Sequence, residues 1–104
     1  MVEIKELEKK VRDFRDERDW KKYHTPKDLS LSISIEASEL LELFQWKDDD
    51  LSSVDKERLE EELADVMIYI LALSDIADIE IGRAVEKKLK ENEERYPPEK
   101  EYDF

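Results

Sequence analysis

The most restrictive feature of the chain is an uninterrupted apolar run at residues 66–73, VMIYILAL. Together with the more polar residues before it, this run predicts one helix from about Asp55 to Ser74. A helix that is hydrophobic on all sides must be buried on all sides. A chain of 104 residues leaves much of its own surface exposed and can hardly surround such a helix. The run therefore predicts contacts between subunits.

The remainder of the chain also favours helices. It contains one glycine and three prolines, too few for a turn-rich β architecture. Apolar residues at helical spacing predict a first helix over residues 2 to about 22. Thr25 and Pro26 suit the start of a second helix. A short break is predicted at Asp75–Asp78, with Asp78 as the expected cap of a fourth helix that runs to about Arg95. The fold class is thus all-α, a four-helix bundle completed by oligomerisation.

Three further segments need interpretation. Residues 29–35, LSLSISI, alternate as a β-strand would. We interpret them as helix, because a lone strand in a helical chain would have no pairing partner. Polar residues 47–54 form a connection, and a capping box from Ser52 to Asp55 is predicted to open the third helix. Residues 97–104 are predicted to be a loose tail.

Charge and composition narrow the class of partner. The 18 basic and 30 acidic residues give a net charge of −12, which disfavours binding to nucleic acid or anionic membranes. There is no cysteine, so thiolate zinc sites and disulfides are excluded. No signal peptide and no stretch of 18 apolar residues is visible. We expect residues 1–104 to form a single cytoplasmic domain whose polyphosphate partner, if any, is bridged by a metal ion.

The acids most informative for function form two pairs with the same spacing. Glu36 and Glu39 are three residues apart, as are Glu62 and Asp65, so each pair shares a helical face. At 100° per residue, the second pair and Tyr69 lie within about 60° of arc, beside an apolar stripe. Carboxylates that border a core repel one another unless they take up protons or hold a cation.

Oxygen ligands favour a hard ion, so Mg²⁺ is the first candidate and Mn²⁺ the second. The simpler alternative is solvated helix surface in an acid-rich chain, but two matched pairs beside apolar residues weigh against it. A di-iron carboxylate bundle would need Glu-x-x-His motifs. The only histidine, His24, lies in a break and does not follow a glutamate by three residues.

The ordered motifs Glu36-x-x-Glu39 and Glu62-x-x-Asp65 resemble the metal motif of the MazG-like, all-α nucleoside triphosphate pyrophosphohydrolases. The similarity covers about residues 6–97 and is strongest to the dCTP pyrophosphatase branch. It includes ERDW at 17–20, ELLELFQWK at 39–47 and EELADVMIYIL at 61–71. Each short motif is weak by itself, whereas the ordered set is specific.

The resemblance implies a role for each matching residue. The Mg²⁺ ligands and catalytic acids would be Glu36, Glu39, Glu62 and Asp65. One of these acids, or Glu61 beside them, would act as the general base. Substrate contacts are implied at Trp20, Trp46, Tyr69, Lys88 and Asn92. His24 is either a further substrate contact or a loop and capping residue. Trp46 and Tyr69 are equally compatible with a place in the core.

The implied activity is hydrolysis between the α and β phosphates of a nucleotide such as dCTP, which cleans the nucleotide pool, in a dimer or tetramer. Val11 stands where the dCTP branch often has a histidine near the base. A pocket built mainly from stacking separates bases by only about 10- to 200-fold. A phosphoribosyl-ATP pyrophosphohydrolase and a dUTPase remain alternatives within the enzyme class. A non-catalytic acidic helical oligomer or adaptor is the alternative outside it.

Overall fold

The computed structural model describes residues 1–46 and 50–99. Within them lie four α-helices and, between the first two, a 3₁₀ helix at Lys21–Tyr23. The α-helices are α1 (Ile4–Glu17), α2 (Pro26–Glu42), α3 (Lys56–Ile76) and α4 (Ile81–Arg95). No strand occurs in the described residues, so the all-α prediction is confirmed. None of the described helices combines the length and apolarity that crossing a membrane requires.

The start of α2 agrees with the sequence prediction. The Thr25 side chain accepts a hydrogen bond from the backbone N–H of Asp28 at 3.1 Å, and proline occupies the first turn. Residues 29–35 are helical, and Leu29 is fully buried in the core. The hydroxyl of Ser30 donates to the carbonyl of Lys27 at 2.8 Å. Such a bond satisfies the serine hydroxyl within the helix.

Helix α1 is shorter than predicted and ends at Glu17 rather than near residue 22. The chain turns at Asp19, whose φ of 54° lies in the left-handed region that a short polar side chain tolerates. The backbone N–H of Trp20 then donates to the carbonyl of Arg15 at 3.0 Å. Trp20 therefore lies beyond the helix, in a turn, and its ring can fold back toward Phe14.

The N-terminus of α3 corrects the predicted capping box. Asp55 is the N-cap, and its side chain accepts from the backbone N–H of Glu57 at 3.0 Å. The Ser52 hydroxyl instead donates to Asp50 at 2.6 Å. Aspartate is among the best N-cap residues, so the cap lies at the acid next to the helix. The connection at 47–54 and the tail at 97–104 fall partly outside the described residues.

The predicted break at Asp75–Asp78 begins two residues later than expected, because α3 continues to Ile76. The Asp75 carboxylate accepts hydrogen bonds from Arg12 and Arg15 of α1. Asp78 does not cap α4; it occupies the turn with a φ of 56°, and Glu80 is the N-cap. The predicted end of α4 at Arg95 is confirmed.

The apolar run on α3 is only partly covered within one chain. Helix α3 packs against α2 and α1, and its Leu71 and Ala72 are buried. Leu63, Met67 and Ile68, nearer the start of the same helix, remain 42–51% exposed. Helix α4 touches the other helices at few points. The radius of gyration of 16.6 Å exceeds the roughly 13 Å of a compact domain of this length.

Candidate metal and nucleotide site

The acids predicted from the two motifs face each other where α2 packs against α3. Glu36, Glu62 and Asp65 each offer one carboxylate oxygen, and these atoms lie within 4.8 Å of one another. Glu39, one turn along α2 from Glu36, lies close enough to both Glu36 and Glu62 to raise the pKa of each. We call these four residues the acidic cluster. The packing of α2 against α3 thus brings the carboxylate oxygens of the two sequence motifs together.

Crowding of these carboxylates raises their proton affinity. The pKa of Glu36 rises to about 6, first because its carboxyl group donates a hydrogen bond to Glu39, then through desolvation and neighbouring negative charge. The pKa of Glu62 is raised chiefly by desolvation and by the charges of Glu39 and Asp65, with Arg58 opposing. Each shift has the sign expected for a carboxylate that lacks a neutralising partner.

The acidic cluster fits a divalent cation. Atom Oε2 of Glu36 and atom Oε2 of Glu62 are shielded from solvent and have no hydrogen-bond partner among the described residues. A buried polar atom without a partner is costly and uncommon, and a charged one more so. An all-oxygen carboxylate set is the donor chemistry that hard cations such as Mg²⁺ and Mn²⁺ prefer. The cluster can therefore hold a metal.

A small cavity adjoins the acidic cluster, between α1, α3 and the turn that joins α1 to α2. Its volume is about 160 Å³, below the roughly 300 Å³ at which drug-sized pockets begin, so it suits one ring better than a whole nucleotide. Asp65 lines this cavity and also belongs to the acidic cluster. The wall includes Trp20, His24 and Tyr69. Val11 lines it too, at the position where the resemblance placed the base.

The aromatic part of the wall is ordered by ring contacts. The rings of Phe14 and Trp20 meet edge to face, with centroids 5.6 Å apart and planes at 72°. The Arg18 guanidinium lies 3.5 Å from the centre of the Phe14 ring. Edge-to-face packing and a cation over the ring face both stabilise such groups. They fix the position of Trp20 although it lies outside a helix.

A buried ion pair connects the end of α1 to α3. Arg15 is only 4% exposed and donates to Asp16 at 3.0 Å and to Asp75 at 2.8 Å, and Arg12 donates to Asp75 at 2.7 Å. Burial by itself would raise the pKa of Asp75, but the hydrogen bonds from the two arginines outweigh it and hold that pKa low. The network fixes the end of α1, and with it Trp20.

Sequence reasoning missed this network, although a signal was present. Arg15 follows Val11 by four residues, so it continues the apolar face of α1 with a charged side chain. A charge on a buried face requires a partner. Asp75, interpreted from the sequence as part of a helix break, is that partner.

The structure places the other predicted residues apart from the cavity. Glu61 is exposed on α3, outside the acidic oxygens that lie together. Trp46 is 93% exposed, which excludes a place in the core, and it does not line the cavity. Lys88 is exposed on α4 and pairs with Glu91 at 3.7 Å. Asn92 is half-buried near the end of the same helix.

Comparison with known proteins identifies the class. Residues 31–104 match the MazG-like family, and the chain belongs to that family. It is 44% identical over 91 residues to dCTP pyrophosphatase 1 of Rattus norvegicus and 41% identical over 91 residues to dCTP pyrophosphatase 1 of Homo sapiens. Each alignment covers 82% of this chain and 54% of the relative. The chain thus spans about half the length of these curated relatives.

A solved structure is similar over nearly the full length of both chains. It is the crystal structure of a pyrophosphatase from Archaeoglobus fulgidus DSM 4304, with a TM-score of 0.83 and 48% identity. The superposition covers 93% of this chain and 94% of the archaeal one. The resemblance inferred from the ordered acidic motifs is confirmed.

Proposed function

We propose that the chain is a Mg²⁺-dependent nucleoside triphosphate pyrophosphohydrolase that acts on dCTP or a related pyrimidine deoxynucleotide. One observation carries this proposal: Asp65 belongs to the acidic cluster and also lines the aromatic cavity. A ligand with a ring at one end and phosphates at the other would meet both. The names of the relatives, dCTP pyrophosphatase 1 and pyrophosphatase, support it.

The acidic cluster supplies the chemistry of the phosphate end. Glu36, Glu39, Glu62 and Asp65 are the proposed ligands of Mg²⁺, with Mn²⁺ as a substitute. When bound, such an ion neutralises phosphate charge and lowers the pKa of a coordinated water. One of the cluster acids, or the nearby Glu61, accepts the proton of the attacking water. The products are a nucleoside monophosphate and pyrophosphate, as expected of a cytoplasmic enzyme that cleans the nucleotide pool.

The cavity supplies the contacts of the ring end. Trp20 and Tyr69 offer aromatic faces to the base and sugar, and His24 is a further contact. Three proposed substrate residues lie away from the cavity in the single chain, namely Trp46, Lys88 and Asn92. Their contacts with the substrate require that it extend beyond the cavity or that a second copy bring them to it.

Release of pyrophosphate from the eight common nucleoside triphosphates, dUTP and phosphoribosyl-ATP, with Mg²⁺ or Mn²⁺ present or chelated, tests the proposal. Hydrolysis that requires the metal and is fastest with dCTP supports it. A tenfold preference for dATP or dGTP contradicts the assignment to dCTP. Cleavage of phosphoribosyl-ATP or dUTP alone favours the alternative enzymes. If no nucleotide is cleaved with either metal, the non-catalytic adaptor becomes the better interpretation.

The exposed apolar surface predicts a stable assembly of at least two copies. Leu63, Met67 and Ile68 on α3, with Val85 and Leu89 on α4, are each at least 42% exposed. Exposed apolar surface on this scale marks an interaction site more often than free surface. Light scattering at micromolar concentration is expected to give the mass of a dimer or tetramer. A Met67→Glu, Leu89→Glu double variant should shift the mass toward one chain, and a monomeric unsubstituted protein contradicts the prediction.

The affinity for Mg²⁺ or Mn²⁺ is expected to fall as the pH drops below about 6. Glu36, whose pKa is raised to about 6, is then protonated and a proton competes with the metal. In the metal-free protein, the raised pKa of Glu36 also stabilises the folded state, because the folded protein binds this proton more tightly than the unfolded chain does. The stabilisation is complete below the ordinary pKa of 4.5 and is lost as the pH rises to about 6. Calorimetric titration of Mn²⁺ between about pH 5 and pH 7.5 measures the first effect.

The matched variant for this measurement is Glu36→Gln, which has no titrating carboxyl group at that position. It should bind Mn²⁺ more weakly at neutral pH and show a shallower dependence on pH. A metal affinity of the unsubstituted protein that stays constant through pH 6 would contradict the role given to Glu36.

A further inference from the structure

Helix α3 runs along one side of the cavity. Four of its residues line the cavity, namely Asp65, Ile68, Tyr69 and Ala72. Their spacings of three, four and seven residues from the first acid place them on one face of the helix. At a rise of about 1.5 Å per residue, Ala72 lies about 10 Å along the helix axis from Asp65. Asp65 marks the end of the cavity that adjoins the acidic cluster, so Ala72 lies toward the opposite end.

The exposure of the wall residues distinguishes the mouth of the cavity from its inner end. Phe14, Trp20 and Ile68 are 42–50% exposed and therefore lie at the mouth. Ala72 is only 2% exposed and lies at the inner end. Arg15 is also buried, but two carboxylates hold its guanidinium in place. A side chain larger or smaller than the methyl group of Ala72 would therefore shorten or deepen the cavity.

We infer that Ala72 is a specificity-determining residue, whose side chain limits the depth of the cavity so that a one-ring base fits better than a two-ring base. This inference rests on the proposed function, because it assigns the base to the cavity and the phosphates to the acidic cluster. The cavity volume of about 160 Å³ suits a single ring.

A limit on depth does what the aromatic wall cannot. Trp20 and Tyr69 can stack with any base, so stacking by itself does not exclude a purine. The inner end of the cavity belongs to the core, since Ala72 and its neighbour Leu71 are both 2% exposed. Close-packed side chains do not move aside for an extra ring without a cost in free energy. Selection by size at Ala72 therefore requires no hydrogen bond to the base.

Steady-state kinetics of two Ala72 variants test the inference. The measured quantity is the ratio of kcat/KM for dCTP to kcat/KM for dATP. Ala72→Gly deepens the cavity and should lower this ratio about tenfold, because one methyl group in an apolar pocket changes discrimination by about that factor or more. Ala72→Val adds two methyl groups and should lower kcat/KM for dCTP at least about tenfold, mainly through KM.

Two kinetic outcomes contradict the role given to Ala72. An unchanged ratio in Ala72→Gly overturns the inference, as does an unsubstituted protein that does not prefer dCTP to dATP. If Ala72→Val does not fold, Ala72→Gly decides the question alone.

Metal binding separates a change in selectivity from damage to the fold. Ala72 lies about two turns along α3 from Asp65. Both Ala72 variants should therefore bind Mn²⁺ as tightly as the unsubstituted protein in a calorimetric titration. A metal affinity that falls together with the selectivity ratio shows a general disturbance of α3 and overturns the inference.

The matched control is Ala64→Val, because Ala64 is exposed on the same helix and does not line the cavity. It adds the same β-branched side chain to α3 and should leave both kcat/KM values unchanged. If it lowers kcat/KM for dCTP as much as Ala72→Val does, the helix rather than the cavity accounts for the effect, and the inference is overturned.

Binding of monophosphates separates failure of this inference from failure of the proposed function. If the unsubstituted protein cleaves no triphosphate, the proposed function fails. The inference is then decided by calorimetric affinities for deoxycytidine 5′-monophosphate and deoxyadenosine 5′-monophosphate in Mg²⁺. The cytidine nucleotide should bind at least about tenfold more tightly, and Ala72→Gly should remove most of this difference. Equal affinities in the unsubstituted protein, an unchanged difference in Ala72→Gly, or no binding of either nucleotide overturns the inference.

Discussion

Replacing Asp65 with asparagine is expected to reduce kcat/KM for the best triphosphate at least about 1000-fold, a loss of about 4 kcal/mol in transition-state stabilisation. Asp65 contributes one of the three oxygens that lie within 4.8 Å of one another. An amide in its place keeps the size of the side chain but removes the negative charge that a metal requires. The metal-free variant should unfold at a higher temperature than the unsubstituted protein, because one source of repulsion on Glu36 and Glu62 has been removed.

The opposite signs of these two effects separate a metal site from a structural cluster. If the acids only supported the fold, the variant would lose activity and thermal stability together. Glu60→Gln is the matched control, since Glu60 is exposed on the same helix and belongs to neither motif. It should change kcat/KM and the melting temperature little. An Asp65→Asn protein that keeps Mg²⁺-dependent turnover would rule out Asp65 as a ligand.

Replacing Asp75 with asparagine is expected to lower the free energy of unfolding by about 3 kcal/mol. Removing one partner of a buried ion pair costs about 3–5 kcal/mol, because the remaining charge stays buried. The lower end applies here, since Arg15 keeps Asp16 as a partner. Denaturant unfolding at one fixed protein concentration measures the change, because assembly would otherwise shift the apparent stability.

The matched control is Asp13→Asn. Asp13 forms an exposed ion pair with Lys9, and both residues lie on α1. An exposed pair contributes at most about 1 kcal/mol, so this variant should unfold nearly as the unsubstituted protein does. The pKa of Asp75 is lowered, so its stabilisation is complete at neutral pH and is lost only as the pH falls through that lowered value. Equal losses in the two variants would show that Asp75 is no more important than a surface charge.

Much of the helical architecture was predictable because its signals are local. The start of α2 follows from Thr25 and Pro26, and the end of α4 follows from the tyrosine and prolines after Arg95. The predicted helix boundaries were wrong where a contact with a residue distant in the sequence outweighed a local signal. Asp75 resembles a helix breaker in the sequence, yet Arg12 and Arg15 occupy its carboxylate and α3 continues past it.

In the candidate site, too, local spacing was predictable from the sequence, whereas contacts between helices were not. Spacing alone placed Glu36 with Glu39 and Glu62 with Asp65, because residues three apart share a helical face. That the two faces meet, and that Glu36 becomes a weak acid with a pKa of about 6, depends on how α2 packs against α3. The substrate contacts expected at Trp20 and Trp46 illustrate the limit of sequence similarity. Trp20 lines the cavity, whereas Trp46 lies exposed away from it.

The sequence by itself determined the helical class, the two acidic motifs and the family resemblance, since these depend on periodicity and on short spacings along the chain. Only the tertiary structure decided that Asp65 joins the acidic cluster to the cavity and that Arg15 is buried against Asp75. It also showed that the Nδ1 atom of His24 is shielded from solvent and has no hydrogen-bond partner among the described residues. These features join residues that are distant in the sequence, such as Glu36 with Asp65 and Arg15 with Asp75, or arise where a turn folds back onto two helices. Their energies come from burial and from charge at short distance, which are set by helix packing rather than by local sequence.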